Sequence, residues 1–147
     1  MKKFIVAAGL LTPLLFATNS MAASTTAVTS CSNGKFFGEA QYIVSRDSAT
    51  GGFGVTVSKY RITRSSGQSG GNKANVKLDG YFYINSTKND VKHHSSDSMK
   101  QDGQWHDLHL AIGGTPRPSW GSKGASLEFV FDKSGTDPKC KVNIPLG

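Results

Sequence analysis

Segments in which apolar and polar residues alternate most constrain the fold of this chain. Residues 73–85 show the pattern clearly, because small or apolar residues occupy every second position: Ala74, Val76, Leu78, Gly80, Phe82 and Ile84. Alternation of this kind places one set of side chains on a single face of a β-strand. Gly80 falls within the apolar series and indicates close packing at that point. No segment shows the period of an amphipathic helix, so the sequence predicts an all-β protein.

Further strand patterns occur at 36–45, 53–64, 105–114, 125–132 and 139–147, separated by turns rich in glycine, serine and proline. In the second of these, Tyr60 and Ile62 fall out of phase with the apolar residues before them, which predicts a β-bulge near Ser58 or Lys59. The polar connection at 86–104 is long enough to hold a short edge strand. Pro145 indicates that the last strand ends there or lies at a sheet edge.

Six or seven strands with one apolar face each, and no helix to cover them, must cover one another. We therefore predict a single-domain antiparallel β-sandwich of immunoglobulin-like or jelly-roll type. No repeat or linker divides the chain.

The first 22 residues have the features of a Sec signal peptide. Lys2 and Lys3 precede an apolar stretch at 4–16, and Ser20 and Ala22 have the spacing that signal peptidase recognises. We expect residues 1–22 to be removed, residues 23–30 to form a flexible leader and residues 31–147 to form the domain. The compact signal is typical of bacteria. The expected location is secreted or periplasmic, with no transmembrane segment in the mature chain.

Two cysteines, Cys31 and Cys140, lie near opposite ends of the predicted mature chain. In an exported protein they are expected to form one disulfide. The net charge of +7 falls to +5 when the two lysines of the signal are removed. A basic exported protein favours a glycan, an anionic surface or an extracytoplasmic protein as partner. The export signal argues against nucleic acid.

All four histidines lie between residues 91 and 110, among several aspartates. In a strand, His106 and His109 point to opposite sides, whereas Asp107 and His109 share a face. His106, Asp107 and His109 are therefore weak candidates for a metal site, and no HExxH spacing supports them. His93 and His94 read as solvated loop residues. Alternatively, the histidines gain charge below about pH 6.5 and strengthen anion binding.

No catalytic motif stands out elsewhere. The sequence predicts no GxSxG nucleophile elbow, because its one match to that pattern, at 67–71, lies in a flexible Ser/Gly loop with no helix after it. Its two glutamates, Glu39 and Glu128, show no pairing pattern. We expect a non-enzymatic protein without a cofactor, with a metal-dependent hydrolase as the enzyme alternative.

The segment 113–124 is the strongest binding candidate, because prolines and glycines bracket Arg117, Trp120 and Lys123. Trp and Arg dominate the energetics of interfaces, and Trp can also stack on a sugar ring. The competing interpretation is that Trp120 folds back and closes the end of the sandwich.

Tyr81 and Tyr83 share the polar face of their strand. With Lys59 and Arg61 on a neighbouring strand they would form an aromatic and basic platform, although ordinary cross-strand packing is the favoured interpretation.

These features predict an exported binding module that recognises a glycan or an anionic surface through residues 113–124. A protein inhibitor that inserts the same loop into an enzyme is the first alternative, since rigid loops bind with little loss of entropy. A secreted toxin or membrane-active protein is the second.

Overall fold

The alternating segments pair into eight antiparallel strands. A computed structural model describes residues 23–147, and the predicted signal at 1–22 lies outside the described residues. The strands are β1 (Ala23–Asn33), β2 (Phe36–Asp47), β3 (Gly52–Arg64), β4 (Asn75–Ile84), β5 (Thr87–His94), β6 (His106–Gly114), β7 (Lys123–Val130) and β8 (Lys139–Ile144). They form two four-stranded sheets, with the orders β1-β2-β3-β6 and β5-β4-β7-β8. The predicted β-sandwich is confirmed.

The core lies between the two sheets and follows the predicted alternation. Its largest fully buried apolar side chains come from β3, β4, β6 and β7 and the residue after β7: Val55, Val57, Ile62, Val76, Leu78, Leu110, Leu127, Phe129 and Phe131. Gly80 faces this core, where an added Cβ would collide with the Ile112 side chain from the opposite sheet. This contact explains why glycine occupies an apolar position of β4.

The predicted bulge is present at Ser58. Gln41 of β2 pairs with Lys59, whereas the next residue, Tyr42, pairs with Val57, so Ser58 has no partner. The extra residue restores Tyr60 and Ile62 to the buried face.

β1 corrects the predicted count of six to seven strands to eight. Residues 23–30 were expected to be a flexible leader, but they belong to β1, which pairs with β2 along its whole length. Serine and threonine dominate this segment, so its sequence lacks a strong apolar pattern, yet pairing with β2 satisfies its backbone. The edge strand considered for the polar connection is present as β5.

The predicted disulfide joins Cys31 of β1 to Cys140 of β8, with 5.8 Å between the two Cα atoms. It therefore links the first strand of one sheet to the last strand of the other. Nearby, the Asn33 side chain donates a hydrogen bond to the Lys139 carbonyl at 2.8 Å.

Gln101 is a buried polar residue at the opposite end from the β6–β7 loop. Its side chain is 1% exposed. Its Nε2 donates to the carbonyls of Gly71 and Asp132 at 3.0 and 2.9 Å, and its Oε1 accepts from the Asp132 N–H at 3.1 Å. One amide thus satisfies backbone groups of the β3–β4 connection and of the segment after β7.

Candidate binding loop

The connection between β6 and β7, residues 115–122, is held by backbone hydrogen bonds along β4. The Arg117 N–H donates to the Tyr83 carbonyl at 2.9 Å, and the Tyr83 N–H donates to the Ser122 carbonyl at 3.1 Å. The Asn85 N–H donates to the Arg117 carbonyl. The loop therefore extends the second sheet locally, and Arg117 forms a parallel bridge with Ile84.

The tip of the loop is a tight turn over a buried proline. The Gly121 N–H donates to the Pro118 carbonyl at 2.8 Å, which closes the turn that carries Trp120. Pro116 is fully buried beneath it. Hydrogen bonds therefore hold the backbone of the loop both at its base and at its tip.

The β2–β3 turn supports the loop from the other sheet. Gly51 has a φ of 72°, and an added Cβ would collide with the Ser119 carbonyl. The Lys123 ammonium donates to the Gly51 carbonyl at 2.7 Å. Lys123 was a candidate ligand contact, and the structure places it as a half-buried brace between the turn and the loop.

The Asp47 carboxylate organises this turn. It accepts from the Thr50 hydroxyl at 2.7 Å and from the Ala49 N–H at 2.9 Å. The Thr50 hydrogen bond, followed by that from Ala49, lowers the pKa of Asp47. The turn therefore carries its own hydrogen bonds and gives the loop a fixed surface to rest on.

Trp120 projects from this support into solvent. Trp120 is 84% exposed, which is the highest exposure among the exposed large apolar residues between positions 23 and 147. The interpretation that Trp120 closes the end of the sandwich is therefore wrong. Arg117 is also exposed, and within the described part of the chain its guanidinium forms no salt bridge.

The histidines are distributed over several local partners. His106 is half-buried, stacks on Tyr60 with 5.4 Å between ring centroids, and meets the Asp102 carboxylate at 2.8 Å. The His106 hydrogen bond is the main reason that the pKa of Asp102 is lowered. His94 Nε2 lies 2.7 Å from Asp79 Oδ1, within hydrogen-bonding distance.

The candidate metal ligands do not converge. Asp107 is exposed, with its carboxylate 3.8 Å from the Lys59 ammonium, and His109 is exposed on the same face of β6. His106 lies on the other face, as its position in the strand predicts. Across residues 23–147, no three His, Cys, Asp or Glu side chains are grouped so that they could hold a metal ion.

The four residues considered for an aromatic and basic platform do not lie on neighbouring strands. Lys59 and Arg61 lie on β3, whereas Tyr81 and Tyr83 lie on β4 of the opposite sheet. Arg61 instead binds Glu39 at 2.6 Å and stacks over Trp105 at 4.7 Å. The alternation was correct, but alternation alone does not reveal which strands are neighbours.

The outer face of the second sheet contains a depression of about 550 Å³ that the sequence did not reveal. Its lining includes Tyr81, Lys88, Asp90, Gly124, Ser126 and Asn143. The Tyr81 ring packs over Gly124, where a Cβ would lie 2.6 Å from the ring, and the Lys88 ammonium lies 5.1 Å from the ring centroid. Lys88 also pairs with Asp90 at 2.8 Å, so these polar groups satisfy one another.

Within residues 23–147 there is no helix with the length and apolar character needed to cross a membrane.

Comparisons with known proteins leave this chain without a family. No family of known proteins matches its sequence, and no curated protein matches it. Among solved structures it is similar to the solution structure of R. palustris CsgH, at 12% identity and a TM-score of 0.29, over 82% of this chain and 92% of that chain. The fold assignment rests on the strand pairing of this chain itself, which defines it as a disulfide-linked β-sandwich of two four-stranded antiparallel sheets.

Proposed function

We propose that this protein is an exported, non-enzymatic binding module that recognises an acidic glycan through the loop at 113–124. The main support for this proposal is that Trp120 is 84% exposed on a loop whose backbone is held by contacts to both sheets. In this proposal Trp120 stacks on a sugar ring, and Arg117 binds a carboxylate, sulfate or phosphate group on the same ligand.

The fixed backbone supports recognition rather than chance exposure. A tryptophan side chain buries a large apolar area on contact, and a bound sugar would cover a surface that is now in water. Because the loop is already held in one conformation, little ordering of its backbone would oppose binding. Lys123 contributes by holding the loop against Gly51, so its role here is positioning.

The charge of the protein supports an acidic ligand. The net charge is +7, or +5 without the two signal lysines. Such a charge increases the local concentration of anionic partners at low ionic strength. Arg117 adds a planar donor group that suits bidentate contact with a carboxylate or phosphate.

Two features support export. The sequence at 1–22 has the pattern of a signal peptide, and the disulfide between Cys31 and Cys140 is typical of proteins in oxidising compartments. We propose that the protein acts in the periplasm or outside the cell.

Tryptophan fluorescence tests the proposal directly, because the chain has only two tryptophans, Trp105 and Trp120. In a Trp105→Phe variant, all tryptophan emission reports on Trp120. We expect acidic oligosaccharides to shift this emission to shorter wavelength, and their neutral counterparts with the same backbone to bind at least about tenfold more weakly. Trp120→Ala should abolish binding, measured by calorimetry. Equal binding by Trp120→Ala and the wild type would reject the assignment of the loop.

The fixed loop also supports the protein-inhibitor alternative, because an inhibitory loop benefits from the same preorganisation. A pull-down from envelope and culture-fluid extracts separates the two functions. An inhibitor would form a stoichiometric complex with one enzyme, lost in Arg117→Ala/Trp120→Ala and unaffected by added oligosaccharide. The membrane-active alternative instead predicts dye release from liposomes.

A further inference from the structure

We propose that the free edge of β1 is a self-association surface, through which two copies of this chain pair β1 with β1 across a two-fold axis. The proposal concerns a surface separate from the 113–124 loop and does not depend on glycan binding. Its basis is the composition of the four sheet edges and the position of the exposed apolar residues.

β1 is an edge strand without the usual protection against pairing. It is 11 residues long, and β2 is the only strand that pairs with it between residues 23 and 147. Its sequence, ASTTAVTSCSN, contains no charged residue and no proline. Long edge strands with neither charge nor proline readily pair with another strand, because their outward N–H and C=O groups lack partners.

The other three edges differ from β1. Each carries charged residues: Lys88, Asp90 and Lys92 on β5, Asp107 on β6, and Lys139 and Lys141 on β8. β8 is only six residues long and is followed by Pro145. The edge of β6 is partly covered, because the Ala111 N–H donates to His93 Nδ1 of β5 at 2.9 Å. β1 carries none of these charges, and the disulfide at Cys31 and the Asn33–Lys139 hydrogen bond join only its last residues to β8. The part of β1 before Cys31 is therefore the edge segment that lacks these devices.

Exposed apolar side chains lie beside this edge. Five large apolar residues are exposed within the described range, and three of them lie on β1 and β2: Val28, Phe37 and Ile43. Val28 pairs with Gln41, and Ile43 pairs with the neighbouring outward residue Thr26, so Val28 and Ile43 are diagonal neighbours. Glu39 and Gln41 separate Phe37 from Ile43 on this face, so the apolar group at the edge is Val28 with Ile43. Exposed apolar side chains beside an unpaired edge are a feature of interaction surfaces.

Self-pairing explains the lack of charge better than pairing with a different protein. In an antiparallel pair formed across a two-fold axis, the central residue faces its own copy, so any charge near the centre meets a like charge. Val28 is the central residue of β1 and is 56% exposed. Full overlap of the two strands places Val28 opposite Val28 of the second copy and makes one continuous eight-stranded sheet. The chain carries a net charge of +7, or +5 without the two signal lysines, so a neutral edge is where two copies repel least.

Sedimentation equilibrium of the exported, oxidised protein tests this pairing. We expect the wild type to dimerise, and Val28→Lys to raise the dimer dissociation constant about five- to tenfold, because like charges then face each other. Asn143→Lys is the matched control, since it adds the same charge at an exposed position on the edge strand β8. Its dissociation constant should equal that of the wild type.

A charge-swap experiment identifies the interface. Val28→Lys and Val28→Glu should each dimerise weakly, and an equimolar mixture should recover the wild-type dissociation constant. Circular dichroism and thermal unfolding check that each variant folds. Amide exchange of β1 in the wild type should slow as protein concentration rises, which tests the pairing without any substitution. A wild type that stays monomeric at about 1 mM, or a dimer equally strong in Val28→Lys and Asn143→Lys, would overturn the proposal.

Discussion

The ammonium group of Lys123 donates a hydrogen bond to the carbonyl oxygen of Gly51 at 2.7 Å, and so ties the β6–β7 loop to the β2–β3 turn. Lys123 begins β7 of one sheet, and Gly51 lies in the turn between β2 and β3 of the other. This contact makes the position of Trp120 depend on the relative placement of the two sheets, in addition to the hydrogen bonds along β4.

Replacing Lys123 by methionine removes this contact and keeps most of the side-chain volume. We expect binding of acidic oligosaccharide to weaken about three- to tenfold, because the loop must then be ordered on binding. Amide exchange at residues 119–121 should become faster. The free energy of unfolding should fall by about 1 kcal/mol. Lys141→Met, which removes the same charge from exposed β8, is the control. Equal loss of affinity in both variants would mean that only net charge matters.

Gly51→Ala tests the contact between turn and loop. The substitution combines an unfavourable φ of 72° with a collision against the Ser119 carbonyl. Gly67→Ala is the control, because Gly67 has a φ of 77° and nothing within 4 Å of an added Cβ. In urea unfolding we expect a loss of about 1 kcal/mol for Gly67→Ala and at least about 2 kcal/mol for Gly51→Ala. Similar losses of unfolding free energy in the two variants would show that the loop moves away from an added Cβ at no cost in stability.

Gln101→Leu should be among the more damaging substitutions outside the apolar core. It leaves the part-buried N–H and C=O groups of Asp132, and the carbonyl of Gly71, without the partner that the buried Gln101 side chain supplies. We expect the free energy of unfolding to fall by about 2–4 kcal/mol, because buried polar groups without hydrogen bonds are strongly unfavourable. Gln104→Leu changes an exposed glutamine and should alter stability by less than about 0.5 kcal/mol. Chemical denaturation of the two variants side by side gives the answer.

The Asp102–His106 pair predicts a pH dependence of stability. The hydrogen bond from His106, then that from the Gln104 N–H, lowers the pKa of Asp102 in the folded protein. The unfolded chain therefore binds the proton more tightly. The stabilisation is fully present above the unfolded-state pKa of about 3.9 and is lost as pH falls through the lower folded-state value.

Asp102→Asn should consequently reduce the free energy of unfolding at pH 6 by less than about 1 kcal/mol, since an exposed pair is screened by solvent. The difference from wild type should shrink below pH 4. Asp107→Asn, at an exposed carboxylate 3.8 Å from Lys59, is the comparison and should show a smaller effect. A difference between Asp102→Asn and wild type that stays constant from pH 6 to pH 2.5 would contradict the assignment.

Local alternation accounts for the part of the fold that the sequence predicts well. The parity change at Tyr60 and Ile62 located the bulge, because a one-residue shift moves every following side chain to the other face. β1 was not predicted as a strand, because its sequence shows no clear alternation of apolar and polar residues. Its residues are mostly small and polar, and its place in the sheet comes from pairing with β2 and from the bond between Cys31 and Cys140.

The site was only partly predictable, because its properties depend on contacts distant in sequence. Composition singled out Trp120, but its exposure follows from the buried Pro116 and the turn below the loop. Lys123 looked like a ligand contact until its partner, Gly51, was placed beside it by the fold. Gln101 has no distinguishing sequence signal, since its burial arises from backbone groups about thirty residues away on both sides.

The bond between Cys31 and Cys140 has a consequence for the order of events during biosynthesis. The two cysteines are 109 residues apart, so Cys31 has to wait until nearly the whole chain has emerged from the ribosome or from a translocation channel. The sheet that contains β1 can pair earlier, since β2, β3 and β6 all precede β8. Covalent closure therefore follows the synthesis of β8, and an oxidised molecule is one in which Cys140 has already reached Cys31.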